Sequence, residues 1–289
     1  MDLLIQQVSS GIASGAIYAC LALALVMIFN STNHINFAQG EMALLSTYFA
    51  WTLLNAGAPY WLAFLLTILV SFLFGVVIER VIIRAFRNAE HLTLVVVFIG
   101  LLLTFNALAG LVWGFALKEF PSPVRSLSTG TPLIGAHEVF VLAVTLAQLI
   151  IMYVFFRHTK LGLAMRAAAL NPTSSRLVGV SVGTMLALGW GLAGALGASA
   201  GMLIAPTVYL DPNMMISVLL YAFASAMLGG LGNPAGAVAG GLIFGVLENI
   251  AGAYLIGQEL KLSFALAVVV VVLLVKPAGL FGKTTVRRV

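Results

Sequence analysis

An all-α protein that crosses a lipid bilayer about eight or nine times is the architecture expected of this 289-residue chain. Three observations lead there. Only 8% of the residues are charged and 62% are hydrophobic, with a mean hydropathy of +1.11, whereas a water-soluble domain carries about 25% charged residues. The apolar residues fall into long uncharged runs, and about 20 of them in a helix span the hydrocarbon core. Most of the 14 Lys and Arg gather in three clusters at the ends of those runs, as loops held on the inner side do. Residues 1–289 read as one transmembrane domain with broken or re-entrant segments and an inverted repeat.

Leu3–Phe29 is the first span. Its flank "MDLLIQQVSSG" has no Lys or Arg, so it lacks the basic n-region of a cleaved signal peptide and is expected to be retained. Met42–Leu54 and Tyr60–Ile78 follow, then a basic loop with Arg80, Arg84 and Arg87. Leu92–Leu117 leads into a Pro-, Gly- and Ser-rich connection, Lys118–His137, expected on the outer side. Val139–Phe156 precedes the second cluster, Arg157, Lys160, Arg166 and Arg176. After Val182–Leu210, the run Pro212–Leu247 is too long for one span at a rise of 1.5 Å per residue. It is interrupted by "GGLGNPAG" (Gly229–Gly236) and should fold back as two helical pieces. Leu262–Val275 ends the series before a basic tail of Lys276, Lys283, Arg287 and Arg288. With all three clusters inside, nine crossings put the N-terminus outside and eight put it inside. Its lack of basic residues favours outside.

Several chemistries drop out. Cys20 is the only cysteine, and His34, His91, His137 and His158 are scattered without ligand spacing, so no metal site is expected. "GWGLAG" (Gly189–Gly194) spells a dinucleotide fingerprint but lies inside an uncharged apolar run. Such a motif needs a preceding strand and a later acid, and small residues there let helices pack closely in lipid instead. "FGKTT" (Phe281–Thr285) lacks the first glycine of a phosphate loop and the room for its helix. No nucleophile–base–acid set is present, so no enzyme is expected, and the short basic clusters do not suit nucleic acid.

Three stretches carry the function. "NHINFAQGE" (Asn33–Glu41) sets polar residues between two apolar runs. In lipid, a non-helical break is tolerated only against protein or a water-filled cavity. Asn30 suits the left-handed residue closing the first helix, Asn36 suits an N-cap with Gln39 three residues on as in a capping box, and Gly40 and Glu41 open the second helix, with Glu41 near its positive end. The same residues would also serve as plain caps at the membrane surface. In the second stretch, Asn233-Pro234 turns the chain, and Gly232, Gly236 and Gly240 form a small-residue ladder. Glu248 and Asn249 lie farther along; an intramembrane acid marks a functional site by default, or it bonds a neighbouring helix. Two breaks, one in each half, fit the inverted repeats of transporters, although their residues are too dissimilar to establish a repeat. The third stretch, Thr159–Val180, is longer than a connection needs. Leu163–Leu170 suits one short helix; Asn171 as N-cap, Pro172 at the first helical position and Gly179 past the end outline another. Flanked by Arg166 and Arg176, the pair suits docking to a partner.

"GAIYACLALALVMIFNSTNHINFAQGEMALLSTY", the "MRAAALNP…RLVGV" loop, "MLGGLGNPAGAVAGGLIFGVLEN" and "LLVKPAGLFG" together resemble the LivH-type permease subunits of branched-chain amino acid ABC importers, in order along nearly the whole chain. The resemblance implies a permease half in a bacterial inner membrane, its C-terminus cytoplasmic. Its partners would be a related permease subunit, two cytoplasmic ATPase subunits holding ATP and Mg²⁺, and a periplasmic binding protein, with no cofactor on this chain. It implies coupling residues at Arg166, Asn171, Pro172, Arg176 and Gly179, and a pathway near Asn30, Asn36, Gln39, Gly40, Glu41, Gly232, Asn233, Pro234 and Gly236. Gln39 stands where the family commonly has His, which disfavours proton carriage there and leaves urea or short amides as alternative substrates. A proton-coupled transporter using Glu41 or Glu248 is the competing class.

Overall fold

Each long apolar run becomes a helix, and the ends fall where Pro, Gly or polar side chains interrupt the pattern. The computed structural model describes residues 2–32, 34–86, 89–124 and 135–282. Asn33, Arg87, Arg125, Lys283, Arg287 and Arg288 therefore lie outside the described residues. Among those described there are eleven α-helices: α1 (Asp2–Thr32), α2 (Gln39–Asn55), α3 (Tyr60–Val81), α4 (His91–Trp113), α5 (Ala136–His158), α6 (Lys160–Leu170), α7 (Pro172–Leu177), α8 (Val182–Val208), α9 (Met214–Gly229), α10 (Pro234–Ala251) and α11 (Lys261–Val275). The Pro212–Leu247 run does split in two, as α9 and α10.

Side-chain contacts give the direction of each helix. Ser9 and Ser10 near the start of α1 donate to Glu138 at the start of α5. Trp113 at the end of α4 donates to Thr52 near the end of α2 over 2.9 Å. Lys118, just beyond α4, exchanges backbone hydrogen bonds with Leu210, just beyond α8. These groups mark one end of the molecule. At the other end the closes of α1 and α5, the helix α6 and the openings of α8 and α10 surround one cavity. Among the described residues the chain thus runs end to end nine times. Seven helices are long and apolar enough to cross a membrane. The other two passes, α2 with 17 residues and α9 with 16, reach only about 25 Å at 1.5 Å per residue, short of a core of about 30 Å.

The two short helices sit at equivalent places. α1, α2, α3 and α4 correspond to α8, α9, α10 and α11, with α1 and α8 antiparallel. α1 packs most extensively on α10, and α8 packs most extensively on α3. α1 also packs on α9 as α8 does on α2, while α2 meets α4 as α9 meets α11. Such exchange is the contact pattern of an inverted repeat. Outward faces of α3, α4, α5 and α11 expose Leu65, Leu103, Ile151 and Leu274, a surface that suits lipid and not water.

Close approach of backbones makes the crossed pairs possible. Between α1 and α10, a Cβ on Gly245 would lie 2.3 Å from the Gly15 Cα, and one on Gly15 would lie 2.7 Å from the Gly241 carbonyl oxygen. Between α3 and α8, a Cβ on Gly75 would meet the Trp190 carbonyl oxygen at 2.3 Å, and one on Gly194 the Ser71 oxygen at 2.5 Å. The fingerprint-like "GWGLAG" is therefore a packing face. Gly245→Val should cost about 3 kcal/mol, the upper end for overpacking, whereas Gly100→Ala, whose Cβ meets nothing within 4 Å, should be neutral or stabilise by about 0.5–1 kcal/mol. Thermal unfolding of the purified protein in detergent measures both.

Candidate functional site

The first break joins α1 to α2 through residues of low exposure. α1 continues through Asn30 to Thr32, whose hydroxyl donates to the Ile28 carbonyl at 2.8 Å. Asn30 is helical and borders a cavity, so the expected left-handed closure there is not found. Asn36 is not the N-cap of α2 either. The helix starts three residues later, after Ala38, with no side-chain cap. Asn36, fully buried, accepts from the Ala38 N–H at 3.1 Å and donates to the Gln39 side-chain oxygen at 3.3 Å. Gln39 is thus committed sideways: its amide nitrogen donates 2.9 Å to the Ala193 carbonyl in α8. Gly197, one turn farther along α8, leaves the room for it, since a Cβ there would lie 2.7 Å from that nitrogen. A reach of 154 residues outcompetes the local capping box.

Gly40 lies against Leu219 and the Met215 carbonyl of α9. Glu41, buried in the first turn of α2, has its charge near the positive end of the helix dipole and accepts from Asn106 of α4 at 3.4 Å. Asn106 also donates to the Pro212 carbonyl at 2.6 Å, in the turn between α8 and α9. Asn36, Gln39, Gly40 and Glu41 therefore form one buried seam that ties α2 to α4, α8 and α9.

The second break, between α9 and α10, is closed by the C-terminal segment. Gly230 adopts φ +108°, a left-handed conformation open to glycine. The N–H groups of Leu280 and Phe281 donate to the carbonyls of Leu228 and Gly229 at 2.7 and 3.2 Å. Asn233 precedes α10 and donates its side-chain amide to the Phe281 carbonyl at 3.0 Å, while Pro234 occupies the first helical position. The small-residue ladder is Gly229, Gly236 and Gly240: a Cβ on Gly236 would meet the Gly229 oxygen at 2.5 Å, and one on Gly240 the Ser225 oxygen at 2.2 Å. Gly232 faces open space and does not belong to it.

The third stretch folds as the caps dictate. Thr159 accepts from the Gly162 N–H at 3.0 Å and starts α6 at Lys160, three residues earlier than expected. Gly162 lets α6 lie on the end of α5, where a Cβ would meet the Phe155 oxygen at 2.2 Å. Asn171 accepts from the Ser174 N–H at 3.0 Å, Pro172 begins α7, and Gly179 takes φ +87°. Met165 and Ala168 pack on Val182 and Met185 of α8. The opposite face leaves Leu163, Leu170 and Leu177 largely exposed, the last two at 88% and 84%.

A cavity of about 760 Å³ draws three of these stretches together. Asn30, Arg166, Asn233 and Pro234 border it, with Met27, Met152 and Met185 among its apolar lining. Arg176 borders a different, smaller cavity. Glu248 does bond neighbouring helices: Lys261 of α11 lies 3.2 Å from one carboxylate oxygen, and Tyr18 of α1 donates 2.9 Å to the other. Lys261 also donates to Asn249 at 2.9 Å.

A family model described as "Branched-chain amino acid transport system / permease component" matches residues 7–273. The chain belongs to this permease family. The high-affinity branched-chain amino acid transport system permease protein LivH of Escherichia coli K12 is 30% identical over 305 residues, covering 99% of this chain and 97% of LivH. BraD of Pseudomonas aeruginosa, a permease protein described in the same words, is 28% identical over 301 residues, covering 99% and 98%. A chain of PsaBC from Streptococcus pneumoniae, solved in complex with Fab, shares the fold with a TM-score of 0.51 at 10% identity, over 93% of this permease and 91% of that chain.

Three groups escaped the sequence reading. The Asp211-Pro212-Asn213 turn is a break in its own right, and its Asp-Pro pair is the signal that could have shown it. Lys261, outside the basic clusters, could have been matched to Glu248 as a lone cation near a lone intramembrane acid. Asn106 carries no local signal. In this permease Glu248→Gln should cost about 3 kcal/mol, the low end for breaking a buried pair, because the Lys261 side chain keeps 17% exposure. The double variant Glu248→Gln/Lys261→Met should recover most of that loss in thermal unfolding.

Proposed function

We propose that the chain is one transmembrane half of an ATP-driven importer that passes branched-chain amino acids inward. Family membership supports the permease role, and the substrates named for LivH and BraD support the amino acid class. The observation that carries the mechanism is the α6–α7 pair. It is rigidly capped, is anchored by Met165 and Ala168, and presents Leu170 and Leu177 to solvent. Exposed aliphatic side chains on a capped helical pair are costly unless a partner covers them. The partner is an ATPase subunit, and Arg166, Asn171, Pro172, Arg176 and Gly179 form or flank its docking face. A second permease half, a second ATPase and a periplasmic binding protein complete the assembly.

Sidedness follows from the basic residues. Arg80, Arg84, Arg157, Lys160, Arg166, Arg176 and Lys276 all belong to the α6–α7 end, which is thereby the cytoplasmic one. The C-terminus lies on that side and the start of α1 on the periplasmic side of an inner membrane. ATP and Mg²⁺ are held by the ATPases and not by this chain. When the ATPase pair closes, it displaces α6 and α7. Because Arg166 borders the same cavity as Asn30 and Asn233, that displacement reshapes the lining at both helix breaks and opens the pathway to alternate sides. Gln39, fixed to α8, and Glu248, paired with Lys261, are placed as structural ties and not as proton carriers.

The complex purified from membranes should contain two ATPase subunits, and leucine-loaded binding protein should stimulate its hydrolysis. Absence of any associated ATPase would sink the reading. Leu170→Glu/Leu177→Glu should weaken ATPase association at least about tenfold, as loss of central apolar anchors does, with the permease itself still folded by size-exclusion chromatography.

A further inference from the structure

A second cavity, of about 210 Å³, lies beneath α7. The end of α1, the end of α3, the first turns of α4 and α8, and Pro172 and Arg176 of α7 enclose it. Its walls divide by chemistry. Ile83, Leu94, Phe98, Val182 and Leu186 make an apolar side, while Arg176, Glu79, Thr32 and His34 supply polar groups. Trp190, which stacks on Phe98 at 6.0 Å between ring centroids, also borders it. Trp190 is fully buried, and among the described residues its indole N–H has no hydrogen-bond partner.

A buried donor left unsatisfied costs about 1–3 kcal/mol, so an occupant that accepts from it is favoured. Arg176, a fixed cation with several donors, favours an anionic acceptor. Glu79 is 2% exposed, and a carboxylate accepts several donors at once, so it suits an ammonium. The apolar wall suits a short aliphatic body. At ~30 Å³ per water the volume equals about seven waters, the size range of a small amino acid and too small for a lipid chain or a nucleotide.

We infer that this cavity is a binding site for a free aliphatic α-amino acid, its carboxylate held by Arg176 and the Trp190 N–H, its ammonium by Glu79, and its side chain against Phe98 and Leu94. The orientation of the molecule proposed above puts the site on the product side, and the identity of the ligand rests on that transport reading. Because Arg176 belongs to α7, an amino acid accumulated inside would hold the docking helix in place and so report supply to the ATPases.

The test is calorimetric titration of the purified permease–ATPase complex, without binding protein, using L-leucine, 4-methylpentanoate and isopentylamine. Leucine should bind saturably, and each half-molecule should bind at least about tenfold more weakly, as removal of a charge-assisted hydrogen bond does. Trp190→Phe keeps the ring and removes the donor, and should weaken leucine binding about tenfold. Val182→Phe should abolish it by filling the space. No saturable binding overturns the inference, as does leucine binding unchanged by Trp190→Phe, or 4-methylpentanoate binding as tightly as leucine. The probe series on the unaltered complex needs no variant to fold. Leucine uptake into proteoliposomes with binding protein and ATP is measured separately: uptake without cavity binding rejects the site alone, and absence of uptake rejects the transport reading whatever the titration shows.

Discussion

A peptide group that leaves a helix at membrane depth must find its partner in protein, because hydrocarbon offers none. That constraint shapes this permease. The break after α1 is served by Asn36, whose oxygen takes the Ala38 N–H. The break after α8 is served by Asn106, which donates to the Pro212 carbonyl, and by the Lys118–Leu210 pairing. The break after α9 is served by Leu280 and Phe281, which bring their N–H groups to Leu228 and Gly229. Two of the three breaks draw their partners from a different part of the chain. Helices flanking the breaks therefore sit at the centre, while α3, α4, α5 and α11 face outward and separate them from lipid.

What sequence could show follows from how far each interaction reaches. Asn171, Pro172 and Gly179 were legible because a cap is decided within a turn of the residue that makes it. The splitting of Pro212–Leu247 was legible because length alone forbids one span. Gln39 was not, since its amide is spoken for by a carbonyl 154 residues away. Asn36 was misassigned for the same reason, because the capping box it suggested needed Gln39 at home. Gly232 and Gly229 look alike on paper, and only the fold-back of α10 onto the end of α9, which brings Gly236 against Gly229, makes one a contact and leaves the other free.

The inverted repeat was expected on partly mistaken grounds. Asn33–Glu41 and Gly229–Gly236 are breaks in opposite halves, but they are not equivalent to each other. Contacts pair the first of these instead with the turn at Asp211–Asn213, and the second with the short link between α2 and α3. The equivalent turns meet different surroundings: Pro212 is satisfied from α4, whereas in the 34–38 segment Asn36 itself accepts from the Ala38 N–H. Equivalent geometry therefore survives without equivalent residues.

The packing of α1 on α10 has a consequence in time. Gly15 finds its match in Gly241, and the ribosome adds about 5–20 residues per second, so roughly 10–45 s separate the synthesis of the two. Throughout that interval the glycine face of α1 lacks the helix it closes on, and in lipid close helix packing has no water-driven force to hurry it. The helix laid down first is thus closed over last, by the partner on which it packs most extensively.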